Sequence, residues 1–387
     1  PSPGIGRRLR TTSMGDFQLM YDVIIVGARC AGSPTGMLLA RNGHSVLIVD
    51  RATFPSDTLS THYITPDGVA RLKQWGMYDR VVATGVPVTH GVQRTSVALG
   101  LTIPANPADP PALCPRRTVL DHIFVEAARE AGAEVCEGVL VESLIVEDGV
   151  VAGIRARKGD ERFEERAKVV IGADGRESFV ARQVNPETYN EVEGTTGGYY
   201  SYYRNFEGTE SELVLGGGHA LFVFRTNDGE TCIGVEMTAD RFAEFRKDIE
   251  GGTRRALALV PSIAERYDRA ERTGKLMGFA PHKSFYRKPY GPGWALVGDA
   301  GYYRDPLLGQ GINDALRDAE ELASALHRVF SGEAQWEQAL GEYQRQRDEA
   351  TAEVYQLTAI LASNLDPSPE LLGQLFGPPQ AAPVAGV

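Results

Sequence analysis

The strongest constraint on this chain is a short stretch near its start. Asp22-Val-Ile-Ile-Val26 is apolar and mostly β-branched, and it runs straight into Gly27-Ala-Arg-Cys-Ala-Gly32. Such an unbroken apolar run suits a strand buried on both faces of a parallel sheet. A helical stretch with Met37, Leu38, Leu39 and Ala40 follows and is closed by Asn42-Gly43. A second buried strand, Ser45 to Val49, then ends in Asp50. The whole is a βαβ unit with an acid at the tip of its second strand.

A helix that starts directly after a strand points free N–H groups and the positive end of its dipole beyond the sheet, which suits a pyrophosphate. Gly27 lets the chain turn, and Gly32 lets the helix pack close to the strand. Asp50 follows Gly27 at close to the ~20 residues expected of a carboxylate that accepts from a ribose. Arg29 stands where the second glycine of such loops is usual. Strand, helix, second strand and acid agree, so the unit predicts dinucleotide contacts at Gly27, Ala28, Arg29, Ala31, Gly32, Asp50 and Arg51.

The chain has 43 glycines in 387 residues, well above the typical ~7%, which calls for either disorder or many places where the backbone turns tightly or touches a ligand. Two further clusters follow buried strands. One is Val169-Val-Ile-Gly172 leading into Asp174-Gly175. The other is Trp294-Ala-Leu-Val297 leading into Gly298-Asp299, then Pro306 and Gly309-Gln-Gly-Ile-Asn313 at the start of a helix predicted to run to about Arg328. The free N–H groups and dipole of that last helix suit a bound group that carries negative charge. Pro306 stiffens the approach to the turn.

With these three motifs in order, and Arg117-Thr-Val-Leu-Asp121 ahead of a helix, the chain resembles the flavoprotein monooxygenases of the p-hydroxybenzoate hydroxylase type, group A, over roughly Tyr21 to Thr358. The resemblance implies an α/β fold with an α+β second domain: a Rossmann-like FAD-binding domain with a mostly parallel sheet, and an inserted antiparallel-sheet substrate domain. It implies FAD as cofactor and NAD(P)H as co-substrate. Gly27 and Gly32 would cradle the pyrophosphate and Asp50 would hold the adenosine ribose. Arg117 would reach the FAD from a helix start, and Val141 would lie near the adenine. Asp174 and Gly175 would form the second phosphate-facing motif, Asp299 would bind the ribityl chain, and Gly298, Pro306, Gly309, Gln310, Gly311, Ile312 and Asn313 would complete the site. Where many members read Gly-Asp-Ala-Ala-His, this chain has Gly298-Asp-Ala-Gly-Tyr302, so no proton-shuttling histidine is carried over there.

The domain pattern expected is residues 14–80, 113–186 and 278–365 for FAD, 81–112 and 187–277 for substrate, and flexible ends at 1–13 and 366–387, with Met14 as a natural start. The middle segment has period-2 runs at Gly198–Phe206, Glu212–Leu215, Ala220–Arg225 and Thr231–Val235, turns at Gly216-Gly-Gly218 and Asn227-Asp-Gly229, and a helix from Asp240 to Glu250. Tyr199 and Tyr203 share one face of the first strand, Tyr200 and Tyr202 the other. Tyr199 and Tyr203, with His219 and His62, are the candidates for substrate contact or catalysis, set against their ordinary use as strand-formers and core polar groups. Asp57 joins His62 on the loop after the ribose strand, as a gate or a loop cap.

Composition closes off other classes. A net charge of −11 disfavours nucleic acid and anionic lipid as partners. Cys30, Cys114, Cys136 and Cys232 form no C-x-x-C pair, so neither a zinc site nor any other metal site is expected and a reducing cytoplasm suits them. No stretch reaches the roughly 18 apolar residues of a membrane helix. The oligomeric state is left open.

For the reaction, the resemblance implies hydroxylation or epoxidation of a small aromatic or polyketide-like substrate with NAD(P)H and O2, by way of a flavin hydroperoxide. Related halogenases carry Trp-x-Trp-x-Ile-Pro and a lysine. The matching stretch here, His219-Ala-Leu-Phe-Val-Phe224, lacks both tryptophans and the proline, and the lysine position falls at Thr89. Arg304-Asp-Pro-Leu-Leu-Gly-Gln-Gly-Ile312 also resembles geranylgeranyl reductase-like flavoproteins, which leaves a reductase as the alternative. A nucleotide-binding protein without turnover is the third.

Overall fold

The structure is a computed structural model, and it describes residues 20–208 and 210–371. The expectations for residues 1–13, for Met14 and for the chain beyond Leu371 lie outside the described residues.

The predicted βαβ unit forms as β1 (Tyr21–Val26), α1 (Gly32–Arg41) and β2 (Val46–Asp50). Its strands are the centre of a parallel sheet. β6 (Glu161–Gly172) pairs with one side of β1, and β2 with the other. β11 (Trp294–Leu296) extends the sheet beyond β6, and β3 (Glu134–Glu137) beyond β2. Each inner strand is apolar on both sides because helices cover one face and an antiparallel ribbon covers the other. On the helix face lie α1, α2 (Arg117–Glu130) and α6 (Gly311–Phe330), with Val23, Ile25, Met37, Leu39, Leu120, Phe124 and Leu316 in one core. On the other, β4 (Val139–Glu147) and β5 (Val150–Lys158) fold back antiparallel on β6, burying Ile24, Leu47, Val141 and Ile154.

A second sheet of eight strands holds the middle of the chain. Its core is a meander in which β7 (Thr196–Arg204) pairs with β10 (Thr231–Thr238), β10 with β9 (His219–Arg225) and β9 with β8 (Glu212–Gly216). The strand Gln93–Ser96 adds to β8, in parallel. The single helix expected from Asp240 to Glu250 is two, α3 (Ala239–Phe245) and α4 (Ile249–Leu257). The break falls at Asp248, which leaves helical geometry and caps α4 by accepting from the Gly251 N–H (2.9 Å). A further helix, α5 (Pro261–Arg269), lies with them on the outer face.

The chain ends its described course in the long helix α7 (Trp336–Ser363). Beyond it, where a flexible end was expected from residue 366, Asp366 is still tied down. It accepts from the N–H groups of Gly217 (2.6 Å) and Gly218 (2.9 Å) at the β8–β9 turn. No described helix is long and apolar enough to cross a membrane.

Candidate active site

The carboxyl ends of β1, β2, β6 and β11 open into one cavity of about 860 Å³, roofed on its far side by the second sheet. That is where open α/β sheets bind ligands, because helix N-termini gather there. Three helices contribute: Ala31 precedes α1, Arg117 begins α2, and Gly311 and Ile312 begin α6, all at the cavity wall. Each aims free N–H groups and positive dipole at its contents.

The glycine loop fits close approach of a ligand. Gly27 has φ +108°, and a Cβ there would stand 2.4 Å from the Ala173 carbonyl oxygen. A Cβ on Gly32 would stand 1.8 Å from the oxygen of Gly27, so the start of α1 packs directly on the turn. Asp50 ties the loop to the second strand end, accepting from the N–H groups of Ala28 (2.7 Å) and Ala52 (2.8 Å).

Arg29, in place of the usual glycine, is held rather than loose. Its guanidinium donates to Asp121 (2.6 Å) and to Ser56 Oγ (3.0 Å). Arg117 binds the other oxygen of the same carboxylate at 3.0 Å, and the Cys30 thiol donates to it as well, at 3.3 Å. Asp121 is fully buried in α2, one turn after Arg117, and so fixes two cations at the wall. The sequence offered this spacing in Arg117-Thr-Val-Leu-Asp121, but nothing in it points to Arg29 as the second partner.

Of the predicted cofactor residues, Gly27, Arg29, Ala31, Asp50, Arg51, Arg117, Val141, Asp174, Gly175, Asp299, Pro306, Gly311 and Ile312 line the cavity. Ala28, Gly32, Gly298, Gly309, Gln310 and Asn313 are not among its lining residues. Asn313 accepts from Thr65 N–H (2.9 Å) and donates to the Tyr63 carbonyl (3.3 Å), so it holds the loop after β2 against α6. Asp174 caps the helix Phe179–Val184 by accepting from Phe179 N–H (2.6 Å). The Asp299 carboxyl is pushed up to about 6, first by burial and then by Asp314 and Asp318, against Arg117 and Arg176. Tyr302 Oη and Arg304 Nη1 are buried without a protein partner, and both residues line the cavity. Orphaned donors, a glycine cradle and three helix starts together fit a long, polar, phosphate-bearing ligand such as FAD.

The catalytic candidates fare differently. Tyr199 stacks on Phe242 (5.7 Å between ring centroids), and the Tyr203 hydroxyl meets that of Tyr267 (3.2 Å). That face of β7 is covered by α3, α4 and α5, so neither tyrosine walls the cavity. The opposite face does: Tyr200, Phe222 and Phe279 line it, with Tyr200 Oη accepting from Ser60 N–H (3.1 Å). Gly234 makes room for Phe222, whose ring would clash with a Cβ at 2.0 Å. His219 is turned to the Gly217 carbonyl (2.8 Å) at the β8–β9 turn, away from the cavity. His62 is fully buried behind the wall with Nε2 on Tyr202 Oη (2.7 Å). Burial, with Arg117 and Arg116 nearby, holds it down to about 3, so it stays neutral. Asp57 lines the cavity and pairs with Arg116 (3.3 Å), while Thr89 is buried in the strand Val88–His90, away from it. The missing lysine at Thr89 therefore says nothing about the cavity, although no lysine is among its described lining. No group of three described His, Cys, Asp or Glu side chains is arranged to hold a metal.

A family model described as FAD binding domain matches residues 20–358. The 1H-pyrrole-2-carbonyl-[peptidyl-carrier protein] brominase of Pseudoalteromonas luteoviolacea is 25% identical over 333 residues, 82% of this chain and 80% of that protein. The digeranylgeranylglycerophospholipid reductase of Methanosarcina acetivorans is 26% identical, covering 88% and 84%. Aklavinone 12-hydroxylase RdmE of Streptomyces purpurascens is 27% identical, covering 83% and 64%. Among solved structures, pqsL of Pseudomonas aeruginosa, a probable FAD-dependent monooxygenase, shares the fold with a TM-score of 0.80 at 21% identity, over 92% of this chain and 99% of that one.

Proposed function

The chain belongs to the FAD-binding domain family over residues 20–358, and from that premise we propose that it is an FAD-dependent monooxygenase that uses NAD(P)H and O2 to hydroxylate or epoxidise a small aromatic or polyketide-like molecule. When bound, FAD supplies the two-electron chemistry with NAD(P)H and O2, and the protein supplies binding, orientation and a site screened from water.

Gly27, Ala31 and the start of α1 would hold the pyrophosphate, with Arg29 and Arg117 neutralising it from their seat on Asp121. Asp50 and Arg51 would face the adenosine ribose and Val141 the adenine. Asp299 would accept from the ribityl hydroxyls, and Gly311 and Ile312 would offer N–H groups to the pyrimidine edge of the ring.

The observation that carries the reading is the apolar roof of Tyr200, Phe222 and Phe279 over the same cavity that receives the three glycine motifs. It supports a flat, mostly apolar substrate held against the reactive end of the cofactor. Similarity to a hydroxylase named for aklavinone supports the hydroxylation. The alternative is a geranylgeranyl reductase-like enzyme, supported by similarity to the archaeal reductases. Halogenation is supported by the brominase but lacks a cavity lysine and the two tryptophans.

One experiment separates these. The purified, flavin-loaded protein is reduced anaerobically with NADPH or NADH and then given O2, with and without aromatic, polyketide and prenyl-chain substrates. Oxygen incorporation from labelled O2 into product is the expected result. Alkene reduction without O2 consumption would overturn the monooxygenase assignment, and a halide-dependent product would favour the brominase-like chemistry.

A further inference from the structure

Where the second sheet meets the turn Pro306–Leu308, two buried acids converge on one hydroxyl. Asp305 Oδ2 lies 2.6 Å from Thr196 Oγ1, and Glu236 Oε1 is in hydrogen-bond contact with the same atom. Period-2 alternation puts Thr196 on β7 and Glu236 on β10 on the cavity-side face of the sheet, the face that carries Tyr200 and Phe222. Asp305 caps the turn by accepting from Leu307 N–H (3.1 Å), and its own N–H donates to Ser284 Oγ (3.1 Å). All three residues are buried, Thr196 at 1%, Glu236 at 2% and Asp305 at 8% exposure, and Asp305 also lines the cavity.

Counting hydrogens decides the state of this cluster. A threonine hydroxyl has one hydrogen to donate, and an ionised carboxylate has none. Two carboxylates on one hydroxyl would leave an oxygen–oxygen contact with nothing between, so one carboxyl must carry a proton. The surroundings agree. The groups facing the pair are Thr196 from β7, Leu307 N–H from the turn and each other, and among the described residues no cation stands beside either acid. Arg304, next in the chain, is turned to Asp314 (2.6 Å). Tyr303, on the cavity side, feels the Asp305 charge and is itself held protonated by burial. Burial pushes both carboxyls up, and for Glu236 the neighbouring Asp305 adds to it. Two carboxyls this close titrate as a pair.

We propose that Glu236 and Asp305 hold one proton between them and deliver it through Asp305, at the cavity wall, to an oxygen of the reactant bound there. The proposal rests on the oxygenase reading above. Inserting one atom of O2 into a substrate consumes NAD(P)H and one proton and releases water and NAD(P)+. The carboxyl O–H bond breaks, a new O–H bond forms on the reactant oxygen, and the pair passes briefly through two carboxylates, the state its geometry disfavours, until the one solvent proton that each turnover consumes restores it. Asp305 is the catalytic residue in this step. Glu236 and Thr196 are positioning residues that keep the proton available near neutral pH.

Two conservative variants of the full chain, Glu236→Gln and Asp305→Asn, are compared with the wild type after thermal unfolding has shown that they fold. The first readout is the infrared carbonyl band of neutral carboxyls at pH 7, taken with and without FAD. Glu236→Gln removes the pair's band, because the remaining Asp305 then accepts from an amide and ionises, and Asp305→Asn shifts the band. The second is product formed per NADPH consumed. It should fall on the order of 10²-fold in both variants, within the range of general acid catalysis, with flavin reduction by NADPH changed less than about 2-fold. Wild-type product formation should fall as pH rises and the pair loses its proton, and the variants should lose that dependence. A carbonyl band unchanged by both substitutions overturns the shared proton even if FAD binds normally. A band that behaves as expected in a protein that cannot retain FAD upholds the shared proton and overturns its delivery to an oxygenation reactant.

Discussion

Asp299 offers the sharpest test of how the site is built, because one substitution should act in opposite directions on stability and on flavin retention. Its carboxyl is raised from 3.8 to about 6, chiefly by burial. Between those values the folded chain binds a proton that the unfolded chain has lost. Asp299 therefore contributes stability that is fully present below pH ~4 and is lost as pH rises through about 6. A shift of roughly two units corresponds to about 3 kcal/mol at most, and water in the cavity screens part of it. Asparagine is neutral at every pH. Nucleotide-free Asp299→Asn should thus match the wild type near pH 4 and exceed it by about 1–3 kcal/mol at pH 8. Denaturant unfolding of the stripped protein across that range measures the difference. Loaded with flavin the order reverses, since the variant lacks a charge-assisted acceptor for the ribityl hydroxyls worth roughly 1.5–3 kcal/mol. Flavin release on gel filtration reads that loss. Parallel pH–stability curves for the two stripped proteins would refute the burial argument, and equal flavin retention would refute the assigned contact.

Asp121→Asn should leave Arg29 and Arg117 without their shared counter-ion. Destabilisation of about 3–5 kcal/mol is expected for breaking a buried pair, along with weaker flavin binding, and a loss under ~1 kcal/mol by denaturant unfolding would show that the hub is dispensable. Gly32→Ala would set a Cβ 1.8 Å from a backbone oxygen; a cost of about 1–3 kcal/mol and loss of flavin are expected, and normal flavin occupancy would count against close packing of α1 on the turn. Tyr200→Phe removes the acceptor of the Ser60 N–H and should raise the KM for substrate, while Tyr199→Phe, stacked among the outer helices, should leave it unchanged. Equal effects of the two in steady-state kinetics would mean that the faces of β7 have been misassigned.

The parallel half of the molecule was legible because each of its signals is local. A strand, a glycine turn, a helix start and an acid lie within one βαβ unit, and the backbone of Gly27 must adopt φ +108° whatever lies elsewhere. The second sheet was legible in its strands but not in its faces. Alternation separates Tyr199 and Tyr203 from Tyr200 and Tyr202, yet which pair faces the cavity depends on what covers the sheet. Here α3, α4 and α5 cover the first pair, and the split at Asp248 that lets them wrap the sheet was itself missed. The Asp121 hub and the Glu236–Asp305 pair escaped for a related reason. Arg29 lies 92 residues from Asp121 and Asp305 lies 109 from Thr196, and a lone acid carries no signal of such a counterpart until the fold brings it near.

The two halves also divide the chemistry between them. Everything that suits a dinucleotide comes from strand ends and helix starts of the parallel sheet, where backbone N–H groups and arginines can be aimed at phosphate without regard to the substrate. The second sheet offers a different surface, since the inner face of β7, β9 and β10 presents Tyr200, Phe222 and Glu236. Asp305, on the loop between β11 and α6, reaches that face from the cofactor half at Thr196 and Glu236, as Ser60 and His62 on the loop after β2 do at Tyr200 and Tyr202. The relatives are named as a brominase, a reductase and a hydroxylase at similar identity, so overall similarity does not choose among those reactions. The FAD binding domain match spans both halves, residues 20–358, and the oxygen transfer proposed for this chain rests on the second sheet, where a roof of aromatic rings and the proton proposed between Glu236 and Asp305 suit it better than halide capture.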